Sequence, residues 1–129
     1  MERNMIRVVF LEPQKEARIA EIGSSLQSMQ SVVGGLIEAI YPFEEQVCIV
    51  CNEEGKLRGL PLNRALRDAD GHIYDIIAGT AFLCDCSRED FGSLTDAQAA
   101  KYLALFKYPE AFASINGCIV AIPTDGSDI

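Results

Sequence analysis

Short runs of apolar and β-branched residues alternate with polar, turn-forming residues along most of this chain, and this pattern predicts a protein rich in β-strands. The first run, residues 5–11, ends just before Pro13, and the longest, residues 73–86, is predicted to be one strand bent at Gly79. Residues 61–70 are polar and predict an irregular loop. We predict strands at residues 5–11, 17–22, 36–41, 46–51, 57–60, 73–86 and 118–122.

Two capping boxes predict the starts of two helices. In the first, Ser24 is the expected N-cap and Gln27 reaches back to it, while Gly34 supplies a left-handed stop. In the second, Thr95 and Gln98 have the same spacing. The following residues recur at helical spacing and predict a buried stripe of Ala99, Tyr102, Leu103 and Phe106.

Several strands with only two helices, in no strict alternation, indicate an α+β fold. We expect a single, mostly antiparallel sheet with both helices packed against one of its faces. At 129 residues the chain has the length of one domain, residues 1–129, and can bury a core without disulfides.

Acidic residues outnumber basic ones, 19 to 11, which gives a net charge of −8. Direct nucleic-acid binding and binding to anionic membranes are therefore not expected, because both rely on Lys and Arg. The acids either keep the surface solvated or imitate the charge of DNA, and composition leaves both interpretations open. No apolar run approaches the roughly 18 residues of a membrane span, and the N-terminal apolar stretch is too short for a signal peptide. We therefore expect a cytoplasmic protein.

Zinc binding is the first chemistry to weigh, because Cys48 with Cys51 and Cys84 with Cys86 form two close pairs of thiols. Cys48 and Cys51 fall within one predicted strand, where residues three apart point to opposite faces of the sheet. We therefore predict no metal site. Cys48, Cys51 and Cys118 lie in apolar runs and are expected to be small buried hydrophobic residues.

Recognisable catalytic motifs are absent from the sequence. His72 is the one histidine, it falls in a predicted turn, and composition alone supports no nucleophile paired with it. No G-x-S-x-G, G-x-G-x-x-G or phosphate-loop motif occurs. We therefore assign no catalytic residue and no cofactor.

Two segments suggest ligand binding. Tyr41 and Phe43 flank a proline in one predicted loop, and Asn63 and Arg64 lie in another. Aromatic rings, an amide and a forked cation together suit a nucleotide-like ligand. The alternative is that Asn63 caps a turn and Arg64 pairs with a nearby acid. Asp75 and Thr80 could add polar groups to such a site, and the cations nearby in the sequence are Lys56, Arg58 and Arg67.

Six ordered motifs resemble a family known only as domain of unknown function 3846. They lie at residues 33–38, 41–44, 51–56, 61–66, 75–80 and 94–96. The resemblance covers residues 5–110, and the extension at residues 111–129 falls outside it. The family has no established activity, and the resemblance implies a similarity to small proteins of phages and mobile elements in Gram-positive bacteria.

Three functions follow as hypotheses. The first is a non-enzymatic protein that binds a small nucleotide-like ligand, such as a sponge for a defence signal, and works as an oligomer with shared pockets. The second is an acidic protein that docks on a host factor or imitates DNA. The third is an enzyme that acts on a nucleotide. The phage setting behind these hypotheses is implied by the resemblance, not by the residues.

Overall fold

The computed structural model describes residues 4–124, with the main chain alone for Pro123. It contains nine strands and two helices within that range. In chain order these are β1 Met5–Leu11, β2 Arg18–Gly23, α1 Leu26–Val33, β3 Ile37–Ile40, β4 Val47–Asn52, β5 Leu62–Arg67, β6 Ile73–Ala78, β7 Ala81–Asp85, α2 Asp96–Leu105, β8 Glu110–Ile115 and β9 Cys118–Pro123.

Five strands form the main sheet, in the order β2-β1-β7-β4-β3, and all of its pairs are antiparallel. The central strand β7 joins β1 to β4, with Leu83 opposite both Val9 and Ile49. The strands β5 and β6 form a separate two-stranded sheet, and β8 and β9 form another. The α+β prediction is confirmed, whereas the prediction of a single sheet is wrong.

The two helices cover opposite faces of the main sheet. Met29 and Val33 of α1 pack with Val8, Val50 and Phe82 on one face. On the other face, the second core cluster combines residues of α2 with residues of the β5–β6 hairpin and the main sheet: Val9, Leu11, Ile49, Leu66, Ile77, Leu83, Ala99, Tyr102 and Phe106. The expectation that both helices share one face is therefore wrong.

The physical reason lies in β4 and β7. Every residue of β4 is buried, as are the first four residues of β7. A strand that is apolar on both sides needs cover on both faces, which one layer of helices cannot supply. The sequence-based prediction treated both runs as strands with one buried side, and so it did not place a helix on each face of the sheet.

The chain breaks the predicted long strand at Gly79. This glycine has φ of 81°, and the chain leaves β6 and enters β7 in a different sheet within three residues. A Cβ at Gly79 would also lie 2.8 Å from Leu60 Cδ1, the end of a flexible side chain, so the positive φ is the stronger reason for glycine at this position. The predicted bend is thus a change of sheet.

Three local predictions need correction. Residues 57–60 form a turn and one irregular residue, not a strand, and residues 62–67 form β5 where an irregular loop is expected. β8 is absent from the predicted strands, and Ser25, not Ser24, is the N-cap of α1. The capping box of α2 and the left-handed stop at Gly34 are confirmed. Within residues 4–124, no helix is both long and apolar enough to cross a bilayer.

Candidate functional site

The best candidate site is a cleft of about 430 Å³ between the end of α2, the loop after β3, the β5–β6 hairpin and the start of β8. This volume is typical of pockets that hold small organic ligands. Four aromatic residues line it, namely Phe43, Tyr74, Phe106 and Tyr108. Its charged residues are Arg64, Arg67 and Glu110. We call it the aromatic cleft.

An ion pair lies in the wall of the aromatic cleft. Arg67 Nη2 is 2.6 Å from Glu110 Oε1, and the other oxygen of Glu110 accepts a 2.6 Å hydrogen bond from the main-chain N–H of Ala65. The side chain of Glu110 is 7% exposed, whereas that of Arg67 is 33% exposed. Both oxygens of the carboxylate are therefore occupied, and the guanidinium is held in place while it still meets solvent.

Arg67 has hydrogen-bond donors that no group of the described chain uses. Within the described part of the chain its Nε and Nη1 make no hydrogen bond, and Glu110 is its one ionic partner. A guanidinium that is fixed at one corner by a buried carboxylate presents its remaining N–H groups in a defined plane, which suits a phosphate or carboxylate. This arrangement can bind an anion without ordering a mobile side chain first.

The cleft differs in charge from the rest of the protein. Arg64 and Arg67 contribute +2 and Glu110 contributes −1, so the charged residues that line it sum to +1. The chain as a whole carries −8. The acids that dominate the sequence therefore lie elsewhere, and the cleft is a place where a small anion meets little repulsion.

Phe43 is held at the mouth of the cleft by α2. Its ring centre lies 4.6 Å from that of Tyr102 and 6.2 Å from that of Phe106. The Tyr102 hydroxyl donates a hydrogen bond to Glu45 Oε1, which also accepts from Lys101 at 3.2 Å. The loop that follows β3 is thus tied to one helix by tilted and edge-to-face ring contacts and by a carboxylate.

Glu45 and Tyr102 shift each other's pKa. The hydrogen bond from Tyr102, and then the one from Lys101, lower the pKa of Glu45. Burial, followed by the hydrogen bond to Glu45, raises the pKa of Tyr102. At neutral pH the pair is a charged acceptor and a neutral donor, which is the combination that the hydrogen bond needs.

Asn63 and Arg64 occupy a strand, not the loop that the sequence suggests. Both are fully buried in β5. Asn63 Nδ2 donates to the carbonyl oxygens of Leu11 and Gly79, at 3.0 and 2.8 Å. The predicted loop position is wrong because residues 62–67 pair with β6, and a register shift between Leu62 and Arg64 interrupts the alternation of faces at these two buried residues.

Each nitrogen of the Arg64 guanidinium donates within the chain. Nε donates to the carbonyl of Phe106, Nη2 to that of Lys15, and Nη1 to Asn63 Oδ1 at 2.8 Å. Arg64 therefore ties the end of α2 to the β1–β2 loop and supplies the carbonyls at a helix end with donors. Direct ligand binding by Asn63 or Arg64 stays a prediction, while their internal bonds match the alternative that they satisfy polar groups of the chain.

The other predicted ligand residues lie apart. Tyr41 is 66% exposed. Asp75 belongs to β6, where its carboxylate pairs with Lys56 and lines a second groove of about 490 Å³. Thr80 lines a third groove beside Gly34, next to α1. Of the six predicted residues, the aromatic cleft brings together only Phe43 and Arg64.

Three residues of the cleft escaped the sequence-based prediction. Tyr74, Tyr108 and Glu110 come from β6, from the segment after α2 and from the first position of β8. They are separated along the chain, and no local motif joins them. The sequence offered one usable signal for these residues, namely that Tyr108 is an aromatic residue just beyond the well-defined helix α2. Such a residue often packs at the helix end.

The cysteine prediction is confirmed in part. Cys48 and Cys51 are buried on opposite sides of β4, and Cys48 Sγ lies 3.7 Å from Cys84 Sγ in the neighbouring strand. Burial raises the pKa of Cys51 and of Cys86 to about 11, so these thiols stay protonated at neutral pH, unlike reactive cysteines. Cys118 is exposed, so its predicted burial is wrong.

His72 lies away from the aromatic cleft, in the turn between β5 and β6. Its Nδ1 is 3.9 Å from Asp68 Oδ2, and both side chains are largely in solvent. Asp68, Asp70 and His72 are close enough to share an ion, but Asp68 Oδ1 already accepts hydrogen bonds from the main-chain N–H groups of the other two. The cluster therefore has the geometry of an acidic turn.

Comparison with known proteins supplies a family. The family model described as "Domain of unknown function (DUF3846)" matches residues 6–107, from β1 to just past α2. No curated protein and no solved structure matches the chain significantly. The matched segment ends at residue 107, so the wall of the aromatic cleft at the start of β8 lies beyond it. Because the model matches well over half of its residues, this chain belongs to the DUF3846 family.

Proposed function

We propose that this protein is a non-enzymatic binding protein whose aromatic cleft holds a small, nucleotide-like ligand, meaning a planar ring that carries an anionic group. The observation that carries the proposal is the fixed and partly unused guanidinium of Arg67 in a cleft lined by aromatic rings. Rings bind planar ligands by stacking, and a guanidinium binds phosphate or carboxylate.

The net charge supports a small ligand over a nucleic acid. A polymer with many phosphates would meet the acidic surface, since the chain carries −8. A ligand with one or two negative groups needs only the local charge of +1 in the cleft. The same reasoning favours a ligand that lies largely inside the cleft, where Phe43 and Tyr108 can shield it from solvent.

Binding without turnover is supported by the protonated thiols and by the position of His72. The raised pKa values of Cys51 and Cys86 disfavour a thiolate nucleophile. His72 is exposed in a turn outside the cleft. A protein that retains a nucleotide-like signal one-to-one, as a sponge, needs neither group.

The test is isothermal titration against AMP, cyclic mononucleotides, cyclic dinucleotides and ADP-ribose. We expect binding of at least one of these, and a loss of at least tenfold in affinity for Arg67→Ala. Arg88→Ala is the matched control, because Arg88 is exposed and lies outside the cleft. Arg67→Lys keeps the charge but loses the fork, so it should fall between the two.

Two measurements together can contradict the proposed nucleotide binding. If none of these ligands gives heat and native mass spectrometry of the freshly purified protein shows no retained small molecule, the cleft is not a nucleotide site. If a bound ligand is instead recovered chemically changed, the protein is an enzyme that acts on a nucleotide. Each titration mixture is therefore analysed by mass spectrometry after incubation.

Exposed acids support a second candidate, an acidic protein that docks on a host factor or imitates DNA. Exposed carboxylates lie in several separate turns, and they include Glu44, Glu53, Glu54, Asp68, Asp70, Glu89 and Asp90. A partner held by such charges should be released as salt rises, because exposed charges are screened within about 8 Å at physiological ionic strength. A host factor that stays bound in 1 M salt would rule out the mimic.

A further inference from the structure

Beyond Glu110 at its base, the β8–β9 hairpin is an uncharged arm on an acidic protein. It consists of two six-residue strands joined by Asn116-Gly117, and both turn residues have positive φ, 52° and 80°. Asn-Gly with this backbone is the preferred two-residue hairpin turn. Residues 111–124 contain no Asp, Glu, Lys or Arg, although the chain carries 30 such residues. The arm therefore lacks the charges that usually keep exposed strands apart.

One face of this arm is wholly apolar. The pairing places Ala111 opposite Ile122, Ala113 opposite Val120 and Ile115 opposite Cys118, and directly paired residues share a face. We call these six residues the apolar face. Ile115 is 53% exposed, Ile122 48% and Val120 38%. On the opposite face Glu110 is buried, and Ile119, although 52% exposed, lines the groove beside β6.

We propose that the apolar face is a dimerisation surface that packs against the same face of a second copy of this chain. A two-stranded sheet with bare apolar side chains is marginal in water, and a second layer stabilises it. Identical faces related by a two-fold axis are complementary to each other by symmetry. The pairing buries Ile115, Val120 and Ile122 against the apolar face of the second copy.

Charge decides in favour of a second copy over a charged partner. Two chains of −8 repel each other wherever their acids meet, so self-association is least costly at a segment that carries no charge. A basic partner would find no carboxylate on the apolar face, and would be drawn instead to the acidic turns. The uncharged arm is thus the region of the described chain best suited to a contact between copies.

The area of the face sets the strength of the dimer. Six residues at about 3.4 Å each give a length of roughly 20 Å, and two strands give a width of roughly 10 Å, or about 200 Å² in projection. Stable dimers bury about 800 Å² per partner or more, so the contact is small and the dimer is weak. We expect a dissociation constant in the micromolar range or above.

Sedimentation equilibrium from about 10 µM to 1 mM tests the proposal. The wild-type mass should rise from 14.1 kDa toward twice that value with concentration. Val120→Lys should weaken the dimer at least tenfold, because it buries a cation in an apolar contact. Ile119→Lys is the matched control, since Ile119 is also about half exposed but lies on the other face of the same strand.

Two results would overturn the proposal. One is a wild type that stays at monomer mass across the whole range. The other is a dimer that both variants weaken equally or that neither weakens, because either result shows that the apolar face is not the specific contact. Far-UV circular dichroism on each variant confirms that the arm is folded, and Ile122→Lys repeats the test at a second position of the apolar face. Ligand titration is measured in parallel, because the proposed ligand site can fail while the dimer is real.

Discussion

The guanidinium of Arg67 lies 2.6 Å from the carboxylate of Glu110, and this ion pair joins β5 to the first residue of β8. It therefore connects the matched DUF3846 segment to the hairpin beyond it. The pair shapes the wall of the aromatic cleft and anchors the base of the β8–β9 arm. This ion pair thus supports both the aromatic cleft and the arm that carries the apolar face, the two surfaces for which we propose a function.

Removal of Glu110 should destabilise the protein. Glu110→Ala leaves Ala65 N–H and Arg67 without their acceptor, and we expect a loss of about 2 kcal/mol in the free energy of unfolding, reduced because Arg67 is one-third exposed. Glu110→Gln keeps an acceptor for Ala65 and should lose about 1 kcal/mol. Urea denaturation measures both, and equal losses would contradict the separate roles of the two oxygens.

Substitution of Arg64 should cost more than that of any exposed arginine. Arg64→Lys removes the fork that reaches the carbonyls of Phe106 and Lys15, and we expect a loss of about 3 kcal/mol. Arg58→Ala is the control, because Arg58 is exposed and donates only to the carbonyl of Gly34. Thermal unfolding should separate the two variants clearly. A fully stable Arg64→Lys protein would contradict the internal role of Arg64.

Phe43 and Tyr41 should behave differently although only one residue separates them. Phe43→Ala removes the ring contacts with Tyr102 and Phe106, and we expect a loss of about 2 kcal/mol, since the ring is only partly buried. Tyr41→Ala should change stability by less than about 0.5 kcal/mol, because its side chain lies mostly in solvent. Chemical denaturation checks both. A larger effect at Tyr41 would mean that the loop packs differently.

The Glu45–Tyr102 pair should give stability a defined pH dependence. The folded state lowers the pKa of Glu45, so its contribution is present above the ordinary value of 4.5 and is lost as pH falls through the folded value below it. The folded state raises the pKa of Tyr102, so that contribution is present below the ordinary value of 10 and is lost as pH rises toward the folded value.

Tyr102→Phe is the variant that isolates this effect. The difference in unfolding free energy between wild type and variant should be largest near neutral pH, shrink below pH 4.5 and shrink again above pH 10. The cysteines ionise in both proteins, so their effect cancels in the difference. A difference that stays constant from pH 3 to pH 11 would show that Tyr102 acts only through packing.

The thiols should react in a fixed order with a maleimide in dilute, native protein. Cys118 is exposed and should react first, followed by half-buried Cys86. Cys48, Cys51 and Cys84 are buried and should react only on unfolding. Mass spectrometry of digested samples assigns each site. Rapid reaction of Cys48 in the folded protein would contradict the packing of the α1 face.

The sequence by itself determined the local structure wherever one short signal suffices. The capping box at Thr95 started α2 as expected, and the apolar run at β1 formed the expected strand. The last predicted strand, residues 118–122, formed as β9, although the strand before it was missed. Such signals depend on neighbours within about four residues, so no knowledge of the fold is needed to use them.

Only the tertiary structure decided which side chains share a site. Asn63 and Arg64 have the composition of a binding loop, but pairing with β6 turned them inward against main-chain carbonyls. Tyr74 and Glu110 show no motif, yet they line one cleft with Phe43, from which they are distant in sequence. Burial and pairing between distant segments set these outcomes, because a polar side chain satisfies whichever partners the fold brings within reach.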